Sequence, residues 1–188
     1  MKDISDLEII ESVRLGNHSD FSLLIDRYKN KAFSMLKKML KNEMDAEEVL
    51  QDSFLKAYSG LKNFRSEAKF STWFYRIVYN TALTRISAKR RKTENEMSSI
   101  DEMPDLKSDY DFNSTEKKDV SKFVSDTIEQ LPPKYATVIN LFYIDGMSCE
   151  EVSEVMNIGV SNVKVILHRS RNALKDLLIA RDYVKEIL

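Results

Sequence analysis

One cysteine, four glycines, three prolines and two histidines are all that this 188-residue sequence holds of those types. With Cys149 alone, no disulfide can form within the chain, and a single thiol suits a reducing compartment. Scarce glycine and proline argue against a turn-rich β architecture. His18 and His168 belong to no ligand-spaced cluster, so no metal site is expected. A glycine-rich phosphate loop is missing too. The many carboxylates fall on predicted solvated helix faces, so no acid–base pair stands out for catalysis. No run of about 18 apolar residues exists to span a membrane. The N-terminal MKDISDLEIIESVRLG carries four acids and lacks the basic start and apolar run of a signal peptide. The expectation is a cytoplasmic protein with no cofactor and no catalytic centre.

What is plentiful is Leu, Lys, Glu and Met, which favours helices. Charge is plentiful as well, and it is segregated behind a net of -1. Residues 64–92 hold 8 basic and 1 acidic side chain, whereas 93–120 hold 3 and 9. Residues 121–159 hold 2 and 6, and 160–188 hold 6 and 3. Two basic blocks flanking an acidic middle suggest a polyanionic partner. For one block alone, a solvated helix face is the simpler explanation.

Periodicity organises the chain into helices. Ser5 caps a short one ending near Gly16. From Asp20 to Lys41, apolar residues at Phe21, Leu24, Ile25, Tyr28, Ala32, Met35, Leu36 and Met39 form one stripe. Asp45 with Glu48 resembles a capping box, opening a helix that Gly60 stops. A loop over 61–70 follows, and Ser71 or Thr72 is expected to cap a long helix reaching 91 or 92. Residues 93–118, rich in Ser, Asp, Glu and Asn, are expected to be a flexible linker. A helix over 116–130 comes next, and Pro132-Pro133 opens another. Ser148 with Glu151 makes a second capping box. The fold class expected is all-α: two small helical domains, 1–92 and 119–188, joined by an acidic linker.

Residues 148–175 have the pattern of a helix-turn-helix. A short capped helix, a turn with Gly159 and a longer basic helix would let Val152, Val155 and Met156 bury against Val163, Leu167 and Leu174. At 100° per residue, Ser161, Val165, His168, Arg169 and Asn172 share the opposite face, flanked by Asn162 and Lys164. Such a face fits a DNA major groove, where Ser, Asn, Lys and Arg meet phosphates or base edges and Val165 could meet a thymine methyl. The competing explanation is a helical hairpin with a solvated basic face.

Residues 64–92 interleave Phe64, Phe70, Trp73, Phe74, Tyr75 and Tyr79 with Arg and Lys. Three consecutive aromatics point three ways, so at least one is expected to be exposed or to sit at the domain edge. Exposed rings beside cations suit single-stranded DNA, with about 1–3 kcal/mol per stacked base. Phe74 and Ile77 fit the core instead. The tail Arg85, Lys89, Arg90, Arg91, Lys92 could equally be a solvated helix end. Over 45–58, Glu47, Glu48, Gln51 and Asp52 form an acidic helix face.

Three segments together resemble the extracytoplasmic-function (ECF) group of the sigma-70 family. DAEEVLQDSFLKAY resembles the second-region helix that docks on the β′ clamp helices of RNA polymerase core. NFRSEAKFSTWFYRIVYNTALTRISAKRRK resembles the segment that reads and melts the promoter -10 element. LPPKYATVINLFYIDGMSCEEVSEVMNIGVSNVKVILHRSRNAL resembles the fourth region, which reads the -35 element and sits on the β flap. The resemblance implies polymerase contacts at Glu48, Gln51, Asp52 and Phe54. It implies -10 contacts at Phe64, Arg65, Lys69, Trp73, Arg76, Asn80, Arg85, Arg90 and Arg91. It implies -35 contacts at Ser161, Asn162, Lys164, Val165, His168, Arg169 and Asn172. In the last helix the family commonly has Ser and Arg where this chain has Val165 and Ile166, which implies a different promoter preference. The implied partners are polymerase core, promoter DNA and an anti-sigma protein. An autonomous helix-turn-helix regulator is the alternative; it leaves the aromatic-basic helix unexplained.

Overall fold

The computed structural model describes residues 4–97 and 120–187, with side chains over 4–92 and 123–180. Most of the linker expected at 93–118 lies outside these residues, but 93–97 continue a helix. Among the described residues there are eight α-helices and no strand: α1 (Asp6–Arg14), α2 (Phe21–Leu40), α3 (Glu43–Gly60), α4 (Phe70–Met97), α5 (Val120–Glu129), α6 (Pro133–Ile139), α7 (Cys149–Met156) and α8 (Val160–Ile187).

Local chemistry sets most boundaries. Ser5 and Ser148 each accept a backbone N–H at N3, while Glu8 and Glu151 return the bond to the cap. The start of α3 differs from expectation. Asn42, not Asp45, is the cap, and its side chain accepts from the Asp45 N–H; Asp45 is therefore an N3 residue with its carboxylate free for other partners. The long helix opens at Phe70, before the expected Ser71 or Thr72. In the helix-turn-helix, the residue in the left-handed region is Asn157 (φ 52°), and a side chain at Gly159 would meet nothing within 4 Å. The turn thus depends on an asparagine tolerating that backbone rather than on a glycine admitting a close crossing.

Helices α2, α3 and α4 pack around an aromatic cluster beside α1. Phe54 stacks on Phe74 with centroids 4.7 Å apart, and Tyr28 and Phe70 lie edge-on at 5.5 Å. Each such pair is worth about 0.5–1.5 kcal/mol beyond area burial. In the C-terminal half, Ile128, Leu131, Ala136 and Ile139 form a second core against Leu174 and Leu177. Of the expected helix-turn-helix core, Val152, Val155, Met156, Val163 and Leu167 are buried, with Ser170 also sealed inside, whereas Leu174 is half-buried and packs on the second core instead.

The two halves pack directly on each other. Helix α7 lies on α4, and α6 lies on α2. One continuous core runs from Ile9 through Phe74 to Val138, Leu141, Val152 and Val155.

Gly60 has an ordinary right-handed backbone, so its value is space. A Cβ there would stand 3.0 Å from the Trp73 ring, close enough that the ring must give by a few tenths of an ångström. Gly60→Ala is expected to lower stability by about 1–3 kcal/mol, the usual cost of overpacking, in a denaturant titration. An unchanged midpoint would mean that Trp73 is free to move aside.

Candidate nucleic-acid interface

Helix α3 turns Val49, Ser53, Phe54 and Ala57 inward. Its other face exposes Glu47, Glu48, Gln51, Asp52 and Leu55. Three of the four expected polymerase contacts are thus on one surface. Phe54 is not, being buried between Phe21 and Phe74. Its contribution is to hold the helix, since a ring in the core has no surface to offer.

The expected -10 residues divide similarly. Arg65, Lys69, Arg76, Asn80, Arg90 and Arg91 are exposed. Phe64 is buried and Trp73 half-buried, their rings 5.1 Å apart. Phe64 is therefore structural here, closing the turn that enters the 64–69 loop. That turn has a support that sequence reasoning missed. Arg14 of α1 donates Nε and Nη2 to the Leu61 carbonyl at 3.1 and 2.8 Å, and Nη2 also donates to the Phe64 carbonyl. No local pattern announces a contact spanning some fifty residues. In the loop itself, Ser66 takes a left-handed backbone (φ 59°).

Arg85 is engaged within the protein. Its guanidinium bridges Asp45 at 3.3 Å and Glu48, and Lys89 pairs with Asp45. The Lys89 ammonium, assisted by Arg85, holds the Asp45 carboxyl below its ordinary value against a burial penalty. The basic tail of α4 is thereby strapped to α3, tying part of one expected DNA surface to the acidic one.

Helix α8 presents outward the residues that the spacing predicted. Ser161, Asn162, Lys164, Val165, His168, Arg169 and Asn172 are all exposed, while Val163, Ile166, Leu167 and Ser170 are buried. Ile166 therefore belongs to the core and removes no polar group from the outer face. Val165, 48% exposed, is the apolar substitution that faces outward.

A polar seam runs between the halves. Tyr75 of α4 donates its hydroxyl to Asp145 Oδ1 at 2.7 Å, and Asn140 donates to Asp145 Oδ2 at 2.8 Å. Burial pushes the Asp145 carboxyl above its usual range, although these bonds and nearby Lys31 and Lys38 pull it down. Burial likewise lowers the Lys38 ammonium, whose Nζ donates to Ser34 Oγ at 2.6 Å. At the other end Glu151 takes Lys69 Nζ at 3.0 Å and the Thr72 hydroxyl at 3.5 Å. Burial raises the Glu151 carboxyl, but the Ser148 N–H and Lys69 outweigh that and leave it lowered.

Two family models match the halves: Sigma-70 region 2 over residues 24–92, and Sigma-70, region 4 over 124–174. The chain is 31% identical to the ECF RNA polymerase sigma-E factor of Haemophilus influenzae, covering 93% of this chain and 96% of that one. It is 36% identical to the ECF RNA polymerase sigma factor SigW of Bacillus subtilis, over 90% and 94%. The chain belongs to the ECF RNA polymerase sigma factors. Among solved structures, CnrH in complex with the cytosolic domain of CnrY aligns with a TM-score of 0.63 at 25% identity, covering 92% of this chain and 96% of that one. The sigma factor RpoE bound to the anti-sigma factor NepR, from Bartonella quintana, shares the fold at a TM-score of 0.69 and 17% identity, over 85% and 96%. This family of sigma factors is not known as an enzyme class. No helix among the described residues is long and apolar enough to cross a membrane.

The Asp45 bridge has a pH signature. A carboxylate depressed by its partners stabilises the fold above its unfolded value and stops doing so as the pH falls through its folded value. Asp45→Asn is expected to be less stable than the parent at neutral pH, with the gap closing below about pH 4 in denaturant titrations. A gap that does not narrow at all as the pH falls below about 4 would show that the bridge is not its source.

Proposed function

We propose a division of labour within the promoter-directed function of an ECF sigma factor. The half over 1–92 docks on polymerase core through Glu48, Gln51 and Asp52, with Phe54 supporting them from beneath. Arg65, Lys69, Trp73, Arg76 and Asn80 engage the -10 element as its strands separate, and Arg90 and Arg91 follow the phosphates beyond it. The half over 119–188 reads the -35 element with Ser161, Asn162, Lys164, Val165, His168, Arg169 and Asn172. The chain performs no catalysis; polymerase forms the phosphodiester bond. It works in the cytoplasm, where polymerase and promoter are.

The exposed face of α8 carries this reading. Seven outward residues alternate with a sealed inner row, and the outward strip is one helix wide, as a major groove requires. CnrH and RpoE are each held by a partner in their solved complexes. An anti-sigma protein covering both DNA-reading surfaces is the corresponding partner here.

The decisive experiment is in vitro transcription with core polymerase, with and without this chain, on genomic DNA from its host. Starts that appear only with the chain support the assignment. Nanomolar promoter binding by the chain without polymerase, and no directed start, would point to an autonomous regulator instead. Asp52→Arg is expected to reduce co-purification with core; undiminished recovery would refute its role. Arg169→Ala is expected to weaken binding to the -35 duplex by about 1–3 kcal/mol if it reads a base. Equal loss on every sequence would mark a phosphate contact.

A further inference from the structure

Helix α4 sends its cations to two sides. Arg76 and Arg85 are separated by about two and a half turns at about 100° per residue, so their guanidiniums leave the helix on opposite sides. Trp73, Arg76 and Asn80 share one side, within about 60° of one another. Thr81, Arg85 and Lys89 follow one another at a turn's spacing and share the other side. What they meet there is α3, in reverse order. The Thr81 hydroxyl accepts Lys56 Nζ at 3.1 Å, Arg85 pairs with Glu48, and Lys89 pairs with Asp45. Arg85, which its place in the chain groups with the -10 cations, is thus set against the helix whose outer face is assigned to polymerase.

The contacts of Arg85 run from the inside outward. Asp45 is 8% exposed, and its carboxylate meets Arg85 Nε at 3.3 Å. The Asp45 backbone is held as well, because the Asn42 side chain accepts its N–H at 2.9 Å. Nη2 of the same guanidinium reaches Glu48, whose side chain is 60% exposed. A planar guanidinium presents its donors in a fixed fork, so it serves both carboxylates at once. Swinging Arg85 across α4 to a phosphate would leave Asp45 short of a cation where burial already penalises its charge.

We propose that Arg85 is a positioning residue of the polymerase-binding surface: anchored on Asp45, it holds the Glu48 carboxylate where polymerase core meets it, and it takes no part in reading the -10 element. The inference rests on the assignment of Glu48 to polymerase. Glutamate is among the side chains that lose most rotamer freedom when fixed, and on an open helix face that loss is incurred at docking. Arg85 moves the loss into the free chain. An exposed ion pair contributes little by itself, so the value of this one is the orientation it gives. A carboxylate has about four acceptor positions, and one held by Arg85 leaves others for a donor on polymerase. A cation that merely competed with polymerase for Glu48 would have the opposite sign, since its removal would tighten docking.

The test titrates the full chain against core polymerase, read by direct binding to immobilised core and by in vitro transcription on host genomic DNA. Arg85→Ala is expected to weaken core binding about three- to tenfold, the effect of leaving one long side chain to be ordered at an interface. In transcription, the concentration for half-maximal starts is expected to rise by the same factor while the plateau stays at the parent level. A lost -10 contact lowers the plateau instead, because it acts after holoenzyme has formed. Arg85→Lys keeps a cation beside Asp45 without the fork and is expected to fall between parent and Arg85→Ala. In a Glu48→Gln background, Arg85→Ala is expected to add less than about twofold, since the group it acts through is already altered. Lys89→Ala removes Asp45's second cation and is expected to lower stability without moving core binding. The inference is overturned if Arg85→Ala leaves core binding unchanged or tightens it, if its loss adds in full to that of Glu48→Gln, if Lys89→Ala matches it, or if the plateau falls at an unmoved midpoint. Circular dichroism that reveals a misfolded Arg85→Ala transfers these decisions to Arg85→Lys. Glu48→Gln without effect on core binding would sink the docking assignment itself, whereas a harmful Glu48→Gln beside a harmless Arg85→Ala sinks only the positioning role.

Discussion

Helix α4 carries more surface to hide than one neighbour can cover. Its buried residues run from Phe70 through Phe74 and Val78 to Tyr75, Tyr79 and Thr72, about half of its circumference. An ordinary surface helix hides a stripe of roughly 100° and leaves the rest to water. The excess has to be met by a second layer, and the C-terminal half supplies it with α7. Most of the remaining architecture follows from this demand. Helices α2 and α3 cover one side with Phe54, Tyr28 and Ala57; Val152 and Val155 extend the core on the other.

The cover is of two kinds, and the difference has functional weight. On the α2–α3 side the contacts are apolar and aromatic, and nothing in water can replace them. On the α7 side the apolar contacts of Val152 and Val155 are joined by hydrogen bonds and one ion pair, made by Asp145 and Glu151. The strap from Arg85 and Lys89 to Asp45 has both its partners in the same half.

Much of this was legible in the sequence, and what was not has identifiable physics. Helix spacing exposed the stripe on α2 and the inner row of α8 because burial leaves a period in the chain. Capping at Ser5 and Ser148 was legible because it is settled within four residues. The start of α3 was misassigned to Asp45 because Asn42 and Asp45 are both good caps, and only the folded backbone shows which oxygen meets which N–H. Exposure of an aromatic on α4 was expected from three adjacent rings. Trp73 is half-exposed and Tyr75 sits where the halves meet; the surface that covers Tyr75 comes from seventy residues away, and no local pattern encodes it. The same distance hid the roles of Arg14, Asp145 and Glu151. For the site, residue type and helical phase sufficed wherever a side chain faces solvent. They failed at Phe54 and Phe64, where a family position turned out to be a core position in this chain.

The clip made by Arg14 gives the first helix a significance its position would not suggest. The matched family region begins at residue 24, after α1 has ended. Yet two carbonyls just ahead of the 64–69 loop are pinned by a guanidinium from that preceding helix. A segment lying outside the shared signature thus works as scaffolding for a loop inside it. Trimming the protein to its recognisable part would strip the guanidinium from both carbonyls and leave the loop's entrance to the Phe64 N–H on Leu61 and the packing of the Phe64 ring.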